Sequence, residues 1–421
     1  MIQELAWPTQ RARFVFKRRD IRGVEAPLAS ATKDGVSLRS ELDFAVWNPS
    51  TDVSNYKLVE PDDFVIGLRS FQHGISHSTV TGVVSPAYTV LRATPGHEPR
   101  YYKYYFRSAP LISQLANITQ GIRQGQTIDV DAFRDLDIPV PPLEEQRRIA
   151  DFLDAEISRI DRMLELRKRS VELLQERLGV KVDRLIRGCE HKETKLAEYA
   201  ALGHVAATWR QGRLRSIDCE VQTGPFGSQL HAEDYVENAW PVINPANITA
   251  AGLVADERVT VTDNTRKRLS RHVLKAGDVI FGRRGELGRA AVVTTKESGW
   301  VCGTGCLRLR FRDKTAFHAG YLQRYLGIPA TRHYFQLHAI GSTMPNLSTP
   351  ILLNMPLLIP PLAEQVGISD KCDREEQDHH MRGKLLQRQM DLLEERRRAL
   401  ITAAVTGQFD VSTASGRGIE D

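Results

Sequence analysis

The sequence predicts an α+β protein built twice over. Two mixed α/β domains are separated by two long antiparallel helices that form a coiled coil, and a pseudo-twofold internal repeat relates the halves. Three observations predict this. Pro141-Pro142-Leu143-Glu144-Glu145-Gln146 returns 219 residues later as Pro360-Pro361-Leu362-Ala363-Glu364-Gln365. At the same offset, without a gap, Leu173-Leu174 meets Leu392-Leu393, Glu176-Arg177 meets Glu395-Arg396, and Gly188 meets Gly407, so that about a third of positions 141–188 match. Each copy also opens a long stretch free of proline, and each is preceded by short apolar runs bounded by turn residues.

Residues 1–140 form the first domain. Asp63-Phe64-Val65-Ile66-Gly67 and Tyr88-Thr89-Val90-Leu91 read as strands. Arg100 to Leu115, with Tyr101, Tyr105 and Ile112 at near-helical spacing, reads as a helix. Pro139, Pro141 and Pro142 then punctuate the chain, since proline loses nothing in the first turn of a helix. The first long helix and its exit occupy 141–190. Ile149, Leu153, Ile157, Ile160, Leu164, Val171, Leu174, Leu178, Val182 and Leu185 fall in steps of three, four and seven, which is one helical stripe. At 1.5 Å per residue such a helix is roughly 60 Å long, and its stripe requires a partner helix.

A polar connector leads into the second domain, 191–358. Gly277-Asp278-Val279-Ile280-Phe281-Gly282 reads as turn then strand, and Ala290 to Thr294 as another strand. Asp63 to Gly67 parallels Asp278 to Gly282, and Tyr101 with Tyr105 parallels Tyr321 with Tyr325. The second long helix occupies 359–410. Leu385, Met390, Leu393, Leu400 and Ala404 pattern its C-terminal part, whereas Asp373 to His380 is polar and Gly383 costs about 1 kcal/mol relative to alanine. The tail, 411–421, is small and polar and is expected to be disordered.

Composition narrows the function. The 421 residues carry a net charge of +5, with 41% hydrophobic and 26% charged residues, a balance that permits a polyanionic partner without requiring one. No window of about 18 apolar residues predicts a membrane span, and the first residues lack a signal-peptide core. The five cysteines are scattered and outside CxxC spacing, which points to a reducing cytoplasm. Cys302-Gly303-Thr304-Gly305-Cys306 fits no zinc pattern and reads as buried thiols. Walker, GxSxG and HExxH motifs and an Asn/Asp-Pro-Pro-aromatic tetrad are missing. Glu193-Thr194-Lys195 has the ExK form of a nuclease but falls in the polar connector, with no strand expected to present it.

Two turns stand out. Thr223-Gly224-Pro225-Phe226-Gly227-Ser228 is glycine-rich. Gly282-Arg283-Arg284-Gly285 is a basic tip able to pair with guanine or phosphate. In the first domain Arg69-Ser70-Phe71-Gln72-His73 holds the corresponding place after its strand.

With these residues the chain resembles the specificity subunit of Type I restriction–modification systems. The resemblance rests on the doubled Pro-Pro-Leu-x-Glu-Gln, on Thr223 to Leu230, on Leu274 to Arg283, and on Gly341-Ser342-Thr343-Met344-Pro345-Asn346-Leu347 followed by Pro356 to Pro361. The first domain carries Gly125-Gln126-Thr127-Ile128 where the second has Gly341 to Met344, so the halves are not equivalent. The family implies a non-catalytic subunit with two target recognition domains, each reading half of a split double-stranded DNA sequence. Its helices serve as a ruler of the order of one to two duplex turns of about 34 Å. They also dock two methylation subunits, usually joined by two restriction subunits. S-adenosylmethionine, ATP and magnesium belong to those partners, and this chain binds no cofactor or metal. By loop position the candidates for DNA contact are Arg69, Ser70, Gln72, His73, Phe226, Ser228, Gln229, Arg283, Arg284, Ser342 and Thr343. Pro141, Pro142, Glu145, Gln146, Pro360, Pro361, Glu364 and Gln365 are the helix-start and subunit-docking candidates. A protein-only coiled-coil scaffold and a cryptic nuclease are the alternative readings.

Overall fold

The computed structural model describes residues 7–42, 53–120, 127–249, 252–285, 287–313, 315–339 and 346–411. The chain divides into two compact units: Met1–Arg169 with Leu386–Asp421, and Ser170–Leu385. Each therefore holds one domain, part of the helix that follows it, and part of the other helix.

Unit 1 is organised around a four-stranded antiparallel sheet in the order Phe16–Arg19, Thr89–Ala93, Asp63–Ile66, Ser76–His77. Residues alternate across the pleat. Phe64, Ile66 and Leu91 face a cluster with Tyr101, Tyr102, Tyr105 and Phe106, while Val65 and Val90 face a smaller cluster with Ala29, Val36, Val59 and Val84. The stretch read as one helix is two, Pro99–Tyr105 and Ala109–Asn117. Pro110 sits in the first turn of the second, where it is tolerated, but it would break a continuous helix.

Unit 2 repeats the topology: Cys219–Thr223, Cys306–Phe311, Val279–Gly282, Ala290–Val292. Val279, Phe281, Leu307 and Leu309 pack on Tyr321, Leu322 and Tyr325, and Ile280, Ala291 and Cys306 on a second apolar cluster with Ile243, Leu274 and Cys302. The connector differs from expectation. Thr194–Leu196 is a strand, exposed throughout and paired antiparallel with His204–Ala206.

The long helices run Leu143–Arg187 and Leu362–Thr406. Gly188 and Gly407, with φ of +67° and +77°, take the left-handed conformation that ends each one. In unit 1, Phe152 lies 5.5 Å from Phe409 between ring centroids and Asp161 pairs with Arg397 at 3.1 Å. In unit 2, Lys181 pairs with Glu375 and Glu190 with Lys371. Partners descend as residues ascend, so the helices are antiparallel in both units. The stripe is only partly buried. Ile149, Leu153, Ile157, Ile160 and Leu185 are covered, whereas Val171 is exposed and Leu174 and Leu178 are half-buried. The polar stretch and Gly383 continue the second helix without a break. The tail beyond Val411 lies outside the described residues, and Val411 itself is buried.

Candidate nucleic-acid interface

A buried ion pair anchors each sheet. In unit 1 the Asp63 carboxylate is fully buried and accepts from Arg92 Nε at 2.7 Å, Arg19 Nη1 at 2.6 Å and the Glu60 N–H at 2.8 Å. Burial pushes this carboxyl up, against the pull of those donors. In unit 2 Asp278 accepts from Arg310 Nε at 2.7 Å, Arg310 Nη2 at 2.6 Å and the Lys275 N–H at 2.8 Å. The Asp63 and Asp278 motifs that look alike in sequence are therefore structural, and Arg19, Arg92 and Arg310 are engaged in pairing with the buried carboxylates.

The loops that leave these strands are the exposed ones. In unit 2 the central strand Cys306–Phe311 begins where both neighbours end. Gly224 donates to the Cys306 carbonyl at 3.0 Å and Arg283 N–H to the Gly305 carbonyl at 2.8 Å. A Cβ on Gly224 would lie 1.7 Å from the Gly303 oxygen, so only glycine permits this approach. Phe226, Arg283 and Arg284 are thus gathered at one end of the sheet. Phe226 is 61% exposed, and Arg284 and Gln229 are exposed. Arg283 is less free than a mobile tip would be. It is half-buried, its Nε donates to the Leu347 carbonyl at 3.1 Å, and its own carbonyl accepts from Leu347 N–H at 2.8 Å. Ser342, Thr343 and the side chain of Ser228 lie outside the described residues, as do Gly125 and Gln126; Ile128 and Leu347 are both buried. Sequence reasoning passed over Thr304, an exposed residue within the same cluster of loops.

In unit 1 the corresponding segment is a helical turn, Ser70–His73. Arg69, Gln72 and His73 are exposed. Ser70 is buried, and its hydroxyl accepts the Gly67 N–H at 2.9 Å, so it holds the turn rather than facing outward.

The helix starts correct the docking set. Gln146 is 1% exposed; its Oε1 accepts the Glu98 N–H and its Nε2 donates to the Pro141 carbonyl, each at 2.8 Å. Gln365 is also 1% exposed and does the same with the His318 N–H and the Pro360 carbonyl, each at 2.8 Å. Both glutamines are internal clamps, buried where a partner cannot reach them. Pro141 and Pro360 are buried beside them. Glu364 accepts from Trp209 Nε1 at 2.8 Å and Glu145 pairs with Arg148 at 2.8 Å, while Pro142 and Pro361 are exposed. The clamps complete a reciprocal pattern. Tyr101 donates to the Val405 carbonyl at 2.9 Å, and Tyr321 to the Ile186 carbonyl at 3.4 Å, so each domain grips the start of its following helix and the end of the other.

Cys302 and Cys306 are buried, and burial pushes Cys302 up to about 12 and Cys306 further still. Among the described residues no group of three or more His, Cys, Asp or Glu is placed to hold a metal ion. Among them, too, no helix is long and apolar enough to cross a membrane. The chemistry offered at the sheet ends is hydrogen bonding, cationic pairing and aromatic contact.

A sequence profile of the Type I restriction modification DNA specificity domain matches residues 76–172 and 208–378, more than half of the chain. The chain belongs to that family. Among curated proteins it is similar to the Type I restriction enzyme MjaVIII specificity subunit of Methanocaldococcus jannaschii, with 22% identity over 254 residues. That match spans 58% of this chain and 56% of that protein, about half the length of the relative. Among solved structures the fold is similar to a chain of a type I R-M system studied for complex assembly and conformational transition. The TM-score is 0.72 at 20% identity, covering 96% of this chain and 100% of that one. It is also similar to the HsdS subunit from Thermoanaerobacter tengcongensis, with a TM-score of 0.57 at 18% identity, covering 96% and 97%. At these identities the likeness is one of fold, and it extends over both domains and both helices of this member of the family.

Proposed function

We propose that this chain is the sequence-specific DNA-recognition subunit of a Type I restriction–modification complex. The observation that carries the reading is the repeated unit itself: one sheet topology, anchored by the same Asp–Arg pair, presents a different set of exposed loops in each half. A scaffold built once and decorated twice suits a bipartite target, with one half-site read by each unit. Base-edge contacts would supply the choice of sequence, and phosphate contacts most of the salt-sensitive affinity. Membership of the family supports the reading.

In this proposal the chain performs no catalysis and works in the cytoplasm. Two methylation subunits dock on its helices, two restriction subunits complete the assembly, and those partners use S-adenosylmethionine, ATP and magnesium. Arg69, Gln72, His73, Phe226, Gln229, Arg283 and Arg284 are the contact candidates that the geometry leaves available.

The test is a methylome. The chain is co-expressed with its methylation subunit in a methylation-free host and N6-methyladenine is mapped across the genome. A single bipartite motif with a fixed gap is expected. A soluble complex that adds no methylation and shows no sequence preference in direct binding overturns the reading in favour of a protein-only scaffold. Cleavage of DNA by the isolated chain with magnesium overturns its non-catalytic part.

A further inference from the structure

The segment Cys302 to Cys306 stands out in sequence for its paired cysteines, yet both thiols are buried and the chemistry they suggest is closed to them. What the segment does expose is Thr304. It lies two residues before the central strand of the unit 2 sheet, between the exits of both neighbouring strands. The Gly224 turn leaves on one side, with the carbonyl of Gly303 against the Gly224 backbone. The Arg283 loop leaves on the other, tied to the Gly305 carbonyl at 2.8 Å. Phe226 and Arg284, the exposed candidates, belong to these two loops.

The turn that carries Thr304 is held by its backbone. Gly303 N–H donates to the Ile243 carbonyl at 2.8 Å, and Cys306 N–H to the Gly303 carbonyl at 3.1 Å. A Cβ on Gly303 would meet Asn244 at 2.4 Å and one on Gly305 would meet Pro245 at 2.8 Å, so the flanking residues must stay bare. Thr304 is therefore the one side chain that this turn displays. Among the described residues its hydroxyl makes no hydrogen bond. A rigid perch with a free hydroxyl and a methyl group suits base reading, because threonine can donate to or accept from a base edge and its methyl can touch that of thymine.

We propose that Thr304 is a specificity-determining residue of unit 2 that discriminates at one base pair of the half-site this unit reads. The proposal rests on the DNA-recognition reading given above. The repeat makes it one-sided. Counted back from Arg92 and Arg310, which face the buried aspartates, the unit 1 counterpart of Thr304 is Pro86, which has neither an N–H nor a hydroxyl.

The test uses the full chain with its methylation subunit. Methylomes are recorded for wild type, Thr304→Val, which keeps the shape and loses the hydroxyl, Thr304→Ser, which loses the methyl, and Pro86→Ala. The purified complexes then compete for duplexes varied one base pair at a time around the wild-type motif. The position is exposed, so melting should not change. The valine or the serine variant is expected to lose about tenfold of its preference at one base pair of one half-site. The other half-site and the gap stay fixed, and Pro86→Ala matches wild type. An unchanged preference in both threonine variants overturns the proposal. So does a valine variant that melts normally yet binds no duplex, since the residue would then serve binding as a whole rather than choice. A wild-type chain that directs no bipartite methylation fails at the recognition reading, and takes the proposal with it.

Discussion

Replacing Gln365 by alanine should destabilise unit 2 out of proportion to the small size of the change. The side chain is 1% exposed and closes two hydrogen bonds of 2.8 Å, from the His318 N–H and to the Pro360 carbonyl. Alanine leaves both backbone groups buried without this partner. Each costs about 1–3 kcal/mol, so the pair costs about 4 kcal/mol at mid-range. For a unit of about 200 residues each kcal/mol lowers Tm by about 2–4 °C. The expected fall is roughly 8–16 °C by calorimetry or far-UV circular dichroism. Gln146→Ala should show a loss of similar size, because its two bonds have the same geometry. Glu144→Ala, at an exposed neighbouring position, should stay within about 0.5 kcal/mol of wild type. A fall below 2 °C for Gln365→Ala would refute the clamp. If that variant also failed to bind the methylation subunit, the glutamine would be a docking residue after all.

Three further outcomes are expected. Arg284→Ala should weaken DNA binding and reduce the slope of log K against log salt by about one, as for one lost phosphate contact, and an unchanged salt titration would remove Arg284 from the interface. Gly224→Ala should cost about 3 kcal/mol in thermal unfolding, because its Cβ meets the Gly303 carbonyl oxygen at 1.7 Å and backbone must yield to backbone; a wild-type melting curve would show that the turn has slack. Burial opposes ionisation of Asp154, but hydrogen bonds from Tyr104, Lys103 and Arg100 outweigh it and hold the carboxyl below its usual range. The ionised form therefore stabilises the fold above the ordinary carboxylate range, and this is lost as pH falls through the lowered value. Asp154→Asn should cost about 1 kcal/mol near neutral pH, allowing for a side chain one-third exposed, and the gap to wild type should close in acid. A pH-independent gap would contradict that assignment.

The parts of the fold that sequence displays are those with a period. The first long helix was readable from Pro142 to Gly188 because its apolar spacing, its opening prolines and its closing glycine agree. The second was readable mainly from the repeat, since its polar stretch has no stripe. The Arg100 to Leu115 region shows the limit. Its spacing is helical throughout, and only Pro110 signals that two short helices replace one. The site was legible as loops and not as contacts. Phe226, Arg283 and Arg284 do gather at one end of the sheet, but Thr304, in the turn between their loops, lies inside a motif that draws attention to its cysteines. Gln146 and Gln365 read as helix-start and docking candidates because a repeated polar residue looks alike in sequence whether it meets a partner or a buried carbonyl. Burial decides between the two, and it depends on Glu98 and His318, which are 48 and 47 residues away.

The reciprocal grip of each domain has a consequence for how the chain is made. Unit 2, Ser170–Leu385, is a single run of sequence, whereas unit 1 needs residues from Leu386 onward. Ile401, Ala404 and Val405 complete the apolar cluster that Ile149, Leu153 and Tyr101 begin, and Val405 supplies the acceptor for Tyr101. On the ribosome the domain synthesised first is therefore the last to close. Until residue 405 has emerged, the apolar cluster of Ile149, Leu153 and Ile157 lacks part of its cover while unit 2 can already be finished. Stop codons or stalls between 386 and 405 would yield a chain with one sound half and one sticky half, the kind of product that chaperones and proteases sort out.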